Sequence, residues 1–362
     1  MSETQCPHAK FCSGCDLLSI SYPDQLEIKK LQIQKQLNFP DLKVQSFQPH
    51  FLRSRLDFTI HQGHRGLYHK NSKEIVDLPT CLQVTPELQD FLTDFRKISF
   101  PISKGSFRLR ISPEGKRGVW LDFSGLETRD LLQEGKTLSH LRDISDHVEL
   151  GQRHKSLIRK KSSVWGLGEP EFFPWTQSFW NGKTLPLVST VGAFTQPSHL
   201  SNDWIVKTLS SWFSDLKLQR VLEFGSGIGN LTFPALSYES TEITSLELNP
   251  LSLTALERNL KTHGVQDRVR ILPGDGRTSK MTLPETDGVL VNPARNGVGT
   301  LFHQLFQRSR LPKSIVYMSC YPETMALDTQ ILHEKGYHLD QALLVDQFPQ
   351  THHSEVLARW SR

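Results

Sequence analysis

Residues 220–229, RVLEFGSGIG, join an apolar run to a turn with glycines at positions 225, 227 and 229. The run is typical of a buried strand, and the glycines permit a tight turn into a helix N-terminus. A tight turn needs such glycines even without a ligand, so the motif alone does not define a binding site. Strand and helix patterns alternate from here to residue 319. This alternation predicts a mainly parallel sheet covered by helices on both faces, which is an α/β, Rossmann-like domain.

Polar side chains follow the next three predicted strands of this domain. Glu247 ends the second strand, Asp275 follows the third and Asn292 ends the fourth. A carboxylate at 247 can accept hydrogen bonds from both ribose hydroxyls, and one at 275 suits an adenine amino group. A nicotinamide dinucleotide would use the same edge, but its Gly-x-Gly-x-x-Gly pattern is absent, which favours S-adenosylmethionine. The candidate cofactor-binding residues are Phe224, Gly225, Gly227, Gly229, Glu247, Asp275 and Asn292.

Length and composition predict two modules. The chain has 362 residues, 37% of them hydrophobic, and a formal net charge of +4, which by itself does not indicate nucleic-acid binding. A helical stretch at 24–37 and strand-like alternation at 51–60, 106–111 and 118–123 predict a β-rich N-terminal module. We place this module at 1–190 and the α/β domain at 191–362. The sequence has no signal-peptide core and no long apolar run, so we expect a cytoplasmic protein without a membrane span.

The five cysteines are unevenly placed. An odd number of cysteines in a cytoplasmic protein argues against a disulfide scaffold and for a metal site plus one reactive thiol. Cys6, Cys12 and Cys15 form a Cys-x5-Cys-x2-Cys motif, and Cys81 follows later in the chain. These four thiolates are enough for one closed zinc or iron–sulfur site. The fifth, Cys320, ends a predicted strand in YMSCYP, where it is either a buried structural thiol or a nucleophile.

A basic segment lies in the N-terminal module. Residues 153–161 carry five lysines and arginines and no acidic residue, and six aromatic residues follow between 165 and 180. This pattern is typical either of a solvated loop before a buried pair of aromatic strands, or of a surface that contacts RNA phosphates and stacks a base.

The closing stretch 346–355, DQFPQTHHSE, completes a set of motifs. Its adjacent histidines point in different directions on a strand, which disfavours a metal site, and it ends in Glu355. Together with Ser319-Cys320, the FTQ segment at 194–196, the glycine turn and the N-terminal cysteines, it resembles the uracil-C5 RNA methyltransferase family, which makes 5-methyluridine in tRNA and 23S rRNA. The resemblance covers nearly the whole chain. It is greatest to the bacterial rRNA enzymes that have an iron–sulfur cluster but lack an extra N-terminal RNA-binding barrel (the TRAM domain).

The resemblance implies a reaction and assigns its residues. Cys320 would add to carbon 6 of the uracil, Glu355 would remove the proton from carbon 5, and Gln196 would hydrogen-bond the target ring, so we group it with the cofactor-site residues. The four N-terminal cysteines would hold a 4Fe–4S cluster. S-adenosylmethionine is then the methyl donor, and RNA, preferably 23S rRNA, is the partner of a monomeric enzyme. The target nucleotide must leave any RNA stem to react.

Departures from the family pattern leave alternatives open. Asn292-Pro293-Ala294-Arg295 stands where the family has Asp-Pro-Pro-Arg, and an asparagine amide can serve uracil in one orientation and cytosine in the other. Tyr321 and Ser198 replace asparagines, and Leu327 replaces an arginine. The alternatives are a tRNA uracil-C5 or RNA cytosine-C5 methyltransferase and a non-catalytic RNA-binding protein with this fold. Cytosine enzymes commonly have a second cysteine in the strand-4 motif, which is absent here.

Overall fold

The computed structural model describes residues 6–123, 125–159, 164–274 and 283–362. Contacts divide the chain into two compact units. The first comprises the residues up to Ile20 with Gln48–Thr176 and Val188–His199, and the second comprises Ser21–Phe47, Gln177–Leu187 and Leu200–Arg362. Sequence patterns placed one boundary at 190, whereas the chain passes between the units several times. Residues 21–47 belong to the second unit because Ile33, Leu37 and Leu42 join its core.

The first unit is built on an eight-stranded sheet. Its strands are β2 (Arg55–His61), β3 (His64–Tyr68), β4 (Ile75–Asp77), β5 (Lys104–Ile111), β6 (Arg117–Asp122), β7 (His147–Leu150), β8 (Lys155–Arg159) and β9 (Trp165–Gly168), and its helices are α2 (Pro86–Arg96), α3 (Thr128–Gln133) and α4 (Gly135–Ile144). The strand order is β4-β3-β2-β5-β6-β7-β8-β9. Only β6 and β7 pair in parallel among these described strands. The β-rich character predicted for this part of the chain is therefore confirmed.

Helix α2 covers this sheet because its sequence is amphipathic. Thr85 caps its N-terminus by accepting a hydrogen bond from the Leu88 N–H, and Pro86 occupies the first helical turn. Leu88, Phe91, Leu92 and Phe95 recur at helical spacing and are fully buried in the core of the first unit.

The second unit has one helix and one strand from early in the chain and the rest from its second half. The early elements are α1 (Tyr22–Leu37) and β1 (Lys43–Gln45). Strands β10 (Phe173–Trp180) and β11 (Lys183–Ser189) pair where the chain passes between units. The later elements are α5 (His199–Leu216), β12 (Arg220–Phe224), α6 (Thr232–Ala235), β13 (Glu242–Glu247), α7 (Pro250–Thr262), β14 (Val269–Pro273), β15 (Gly288–Val291), α8 (Leu301–Phe306), β16 (Ser314–Ser319), α9 (Pro322–Glu334), β17 (His338–Val345) and β18 (Glu355–Ser361).

The sheet of the second unit has the order β1-β17-β18-β16-β15-β12-β13-β14. Among the described strands, all pairings in this sheet are parallel except those of β18, which runs antiparallel to β16 and β17. Strands β15 and β16 are buried at every residue, as expected for parallel strands covered on both faces. The chain leaves β12 toward β13 and β14 on one side and continues through β15 and β16 on the other. Such a switch point binds ligands at the carboxyl ends of its strands, and the predicted Rossmann-like α/β domain is confirmed.

No helix in the described part of the chain combines the length and apolar character needed to cross a membrane.

Candidate active site

The glycine turn after β12 has left-handed backbone conformations. The φ angles of Gly225, Gly227 and Gly229 are +76°, +57° and +97°, a region that favours glycine. A Cβ atom on Gly225 would lie 2.9 Å from the carbonyl oxygen of Asn292, so the turn also packs closely against the end of β15. Around Gly227 a Cβ would meet no atom within 4 Å, which leaves its backbone open. The turn therefore keeps the carboxyl ends of β12 and β15 close together.

A cavity of about 440 Å³ opens at this switch point. It is lined by Phe224, Gly225, Leu246, Glu247, Leu248, Asn249, Pro250, Gly274, Asn292, Pro293 and Ala294. Four predicted cofactor residues are therefore brought together here: Phe224, Gly225, Glu247 and Asn292. Gly227 reaches the cavity through a hydrogen bond to Glu247, while Gly229 faces Leu256 and shapes the turn. Asp275 lies outside the described residues, and Gln196 is a buried residue of the first unit.

Backbone donors fix the Glu247 carboxylate at the rim of the cavity. Its Oε2 accepts from the Gly227 N–H at 2.7 Å, and its Oε1 accepts from the N–H groups of Leu248 and Asn249 at 2.8 and 2.7 Å. A carboxylate has about four lone-pair sites, so acceptor capacity remains for hydroxyl groups of a ligand.

Leu248 was missed by the sequence reasoning. Its side chain is 59% exposed although it is large and apolar, and it lines the cavity next to Glu247. An apolar residue directly after an acidic strand end is the sequence signal that could have found it, because a flat base binds against apolar side chains.

Cys320 and Glu355 lie at the same edge of the sheet. Ser319 pairs with Val356 across β16 and β18, so Cys320 and Glu355 occupy the next position at the ends of the two strands. Pro322 starts α9 directly afterwards, and the Ser319 hydroxyl closes the turn by bonding both the N–H and the carbonyl of Tyr321 at 3.1 Å. The register thus brings together both predicted catalytic residues.

The surroundings of Cys320 and Glu355 raise the pKa of both side chains. The pKa of Cys320 is raised by burial and by the Glu355 carboxylate, whereas the Arg295 guanidinium opposes this through its charge and a hydrogen bond. Burial raises the pKa of Glu355 to about 8, opposed by the Gln347 amide, which donates to its Oε2 at 2.7 Å. A half-buried thiol beside a cation and a buried carboxyl is a combination suited to nucleophilic and general-base chemistry.

Arg295 is a second residue whose role the sequence did not reveal. Its carbonyl accepts from the Thr324 hydroxyl of α9 at 3.3 Å. Three residues later the Val298 N–H donates to Asp328 of α9, whose carboxylate also accepts from the Tyr317 hydroxyl at 2.7 Å. Helix α9 therefore anchors the loop that carries Arg295. The strand-4 motif marked the position of this arginine but not its contact with the thiol.

The four N-terminal cysteines line one cavity of about 100 Å³ in the first unit. The pKa of Cys15 is raised to about 12, mainly by burial and further by the charges of Cys81 and the other two thiols. Burial also raises the pKa of Cys12 and of Cys81. Because all four cysteines line the same cavity, they lie near one another. Across the described ranges, no group of three or more histidine, cysteine, aspartate or glutamate side chains is arranged to hold a metal ion.

Comparison with known proteins places this site in a family. The model of the tRNA (uracil-5-)-methyltransferase family matches residues 278–359, and that of the methyltransferase small domain matches residues 185–310. An uncharacterized RNA methyltransferase of Bdellovibrio bacteriovorus is 40% identical, over 100% of this chain and 96% of that protein. The 23S rRNA (uracil(1939)-C(5))-methyltransferase RlmD of Shewanella baltica is 26% identical, over 98% of this chain and 81% of that protein.

A solved structure shares the fold. The tRNA (uracil-54, C5)-methyltransferase of Pyrococcus abyssi, in complex with S-adenosyl-L-homocysteine, superposes with a TM-score of 0.71 at 21% identity, covering 98% of this chain and 86% of that one. The likeness extends over both units of this chain.

The doubly wound sheet with a nucleoside-sized cavity at its switch point defines a class I, S-adenosylmethionine-dependent methyltransferase. The relative at 40% identity and the family match show that the chain belongs to the uracil-C5 RNA methyltransferase family. The resemblance to this family, stated from the sequence motifs, is thereby confirmed, and the greater likeness to the iron–sulfur rRNA enzymes stays a prediction.

Proposed function

We propose that this enzyme methylates carbon 5 of a uridine in 23S rRNA, with Cys320 as nucleophile and Glu355 as general base. The proposal rests on the pairing register of β16 with β18, which sets Cys320 beside the buried Glu355. Strand β16 neighbours β15, and the end of β15 lines the cavity at the switch point. The RlmD relatives, named for methylation of a 23S rRNA uracil, align with 98% of this chain and support rRNA as the substrate.

Each residue has a defined part in the reaction. S-adenosylmethionine, when bound, supplies an electrophilic methyl group. The Cys320 thiolate adds to carbon 6 of uracil, and the electron pair of the 5,6 double bond makes carbon 5 nucleophilic toward that methyl group. Arg295 favours the thiolate that starts this step. After methyl transfer, Glu355 takes the proton from carbon 5, and the electrons of that bond re-form the double bond as the Cys320 thiolate leaves.

The nucleoside part of the methyl donor is proposed to bind the cavity at the switch point. Glu247 would accept from the ribose hydroxyls with the lone pairs that its three backbone donors leave free. Leu248 and Pro250 would pack against the adenine. Gln196, Asp275 and Gly229 remain predicted cofactor-site residues on the strength of the sequence.

Replacing Glu247 with alanine is expected to weaken cofactor binding about 10- to 100-fold, since hydrogen bonds to a charged group contribute about 1.5–3 kcal/mol. Turnover at saturating cofactor should change much less. Isothermal titration calorimetry with S-adenosylhomocysteine gives the affinity directly. Glu257→Ala, an exposed glutamate of α7, is the matched control. An unchanged affinity in Glu247→Ala would place the ribose elsewhere.

The four thiols of the first unit are the proposed ligands of a 4Fe–4S cluster. Four cysteines around one cavity are a donor set that suits soft iron–sulfur chemistry. Four thiolates would also suit a zinc ion, and the resemblance to the iron–sulfur members of the family is what favours the cluster. Such a cluster would hold the N-terminal segment, with Cys6, Cys12 and Cys15, to Cys81 in the residues before α2.

The cluster proposal predicts that anaerobically purified protein contains iron and acid-labile sulfide in equal amounts. Cys81→Ser should lose most of both, because it removes one of four ligands. Cys320→Ala is the matched control and should retain the full content, since it removes the one thiol that lies outside the cavity. Metal analysis that finds one zinc and no iron in the unmodified protein would refute the cluster.

The test of the proposed function is nucleoside mass spectrometry on unmodified 23S rRNA and tRNA incubated with the enzyme and methyl-labelled cofactor. Labelled 5-methyluridine in 23S rRNA supports the proposal, and the same product in tRNA alone refutes the assigned RNA. Labelled 5-methylcytidine would refute the assigned base, and the asparagine at position 292, where the family has an aspartate, is the reason to measure it. Cofactor binding without any product would favour a non-catalytic RNA-binding protein.

A further inference from the structure

One face of α1 contacts the loop that precedes Glu355. We define the base loop as residues 346–354, which connect β17 to β18. Tyr22 donates from its hydroxyl to Asp346 Oδ2 at 2.8 Å, and Lys29 donates from Nζ to Asp346 Oδ1 at 2.6 Å and to the Phe348 carbonyl at 2.9 Å. Lys29 and Asp346 have side-chain exposures of 1% and 0%. The first helix of the second unit therefore anchors the start of the base loop through an ion pair that water does not reach.

Gln25, on the same face of α1, anchors the middle of the base loop. Its Nε2 donates to Gln350 Oε1 at 2.8 Å, and its Oε1 accepts from the Gln350 N–H at 3.0 Å. Gln350 has a φ angle of +66°, a backbone conformation that residues other than glycine and asparagine rarely adopt. Such a conformation persists only where the surroundings hold it. The paired amide contacts supply that restraint, and both residues are buried.

The anchored loop leads directly to the proposed base. Gln347 follows Asp346 and donates from its amide to Glu355 Oε2 at 2.7 Å. Its own oxygen accepts from the Ser201 hydroxyl of α5 at 3.1 Å. The position of the Glu355 carboxylate therefore depends on Gln347, whose backbone is fixed by the neighbouring Asp346.

We propose that α1 is a positioning element of the active site, in which Gln25 and Lys29 set the position of the Glu355 carboxylate for removal of the carbon 5 proton. This inference rests on the proposed role of Glu355. A buried ion pair contributes little net stability compared with apolar residues of the same volume, so its main contribution here is a fixed geometry. Neither residue touches the substrate; both act through the base loop.

The order of the steps provides a test that separates positioning from folding. Addition of Cys320 and methyl transfer precede proton removal, so a misplaced base leaves the methylated RNA attached to the protein. Gln25→Met keeps the length of the side chain and removes both bonds to Gln350. We expect turnover to fall about 10- to 100-fold, since small displacements of a catalytic group cost about that much. We also expect a larger fraction of denaturant-resistant protein–RNA adduct at steady state, with unchanged cofactor affinity.

Gln32→Met is the matched control, because it makes the same substitution on the exposed face of α1 and should leave turnover and adduct unchanged. If Gln25→Met destabilises the protein, the double variant Lys29→Met/Asp346→Leu removes the ion pair without leaving a buried charge and should give the same adduct accumulation. Adduct and turnover that fall together, in proportion to the folded fraction, would overturn the inference and leave α1 a structural element.

Glu355→Gln, measured in parallel, separates the two possible failures. If it accumulates adduct and the α1 variants do not, the inference fails and the proposed role of Glu355 stands. If Glu355→Gln itself accumulates no adduct while Cys320 still reacts, the proposed base is wrong and the inference falls with it.

Discussion

Replacing Cys320 with alanine should abolish both the methylated product and the covalent RNA adduct, with the rate of methyl transfer falling by at least about 10⁴-fold. Carbon 5 of uracil is too weak a nucleophile to attack a sulfonium methyl group until a nucleophile has added at carbon 6. The other four cysteines line their own cavity and are the proposed cluster ligands, so we expect none of them to replace Cys320. Single-turnover transfer of labelled methyl groups to RNA gives the rate.

Cofactor binding separates this loss from a folding defect. Cys320 does not line the cavity at the switch point, so Cys320→Ala should bind S-adenosylhomocysteine as the unmodified enzyme does. Cys320→Ser should be equally inactive, because a serine hydroxyl is far less acidic and far less nucleophilic than a thiol. A Cys320→Ala enzyme that retains a tenth of the normal rate (about 1.4 kcal/mol) would assign the nucleophile to another residue.

Local patterns in the sequence were sufficient for strands β12 to β16 of the second unit's sheet, but they did not predict β1 or β17. The run at 220–224 and its three glycines predicted β12 and the turn, because buried strands and left-handed positions impose strong local constraints. Parallel strands place their carboxyl ends at one edge, so Glu247 and Asn292 could be expected to meet there, as the cavity shows. The pairing of Cys320 with Glu355 came from family resemblance, and only the register of β16 with β18 accounts for it physically.

Contacts between distant parts of the chain were beyond such reasoning. The helical pattern at 24–37 predicted α1. An amphipathic pattern shows that one face of a helix is buried, but it does not show which sheet that face packs on. Lys29 and Asp346 are 317 residues apart, and charged residues on a helix are ordinarily expected in water. Arg295 was visible in its motif, yet its bond to Cys320 depends on the loop that Asp328 holds. Each of these contributions to the site is a tertiary contact.

Replacing Glu355 with glutamine should trap the reaction after methyl transfer. The amide has the shape of the carboxyl group and its oxygen can still accept from Gln347, so the fold should be retained. It cannot take the carbon 5 proton, and a general base contributes about 10²–10⁴-fold to the rate. We therefore expect turnover to fall by about that factor while the covalent adduct with methylated RNA accumulates, as measured by denaturing electrophoresis with labelled cofactor.

The pH dependence tests the same role of Glu355 independently. Because burial raises the pKa of Glu355 to about 8, the basic carboxylate is a minor form at neutral pH. Turnover of the unmodified enzyme should rise with pH until about 8 and then level, since the base acts only when deprotonated. The raised pKa of Cys320 acts in the same direction on adduct formation. In Glu355→Gln, the pH dependence of adduct formation should therefore be that of Cys320 alone. Rapid release of methylated RNA by this variant, without adduct, would mean that another group removes the proton.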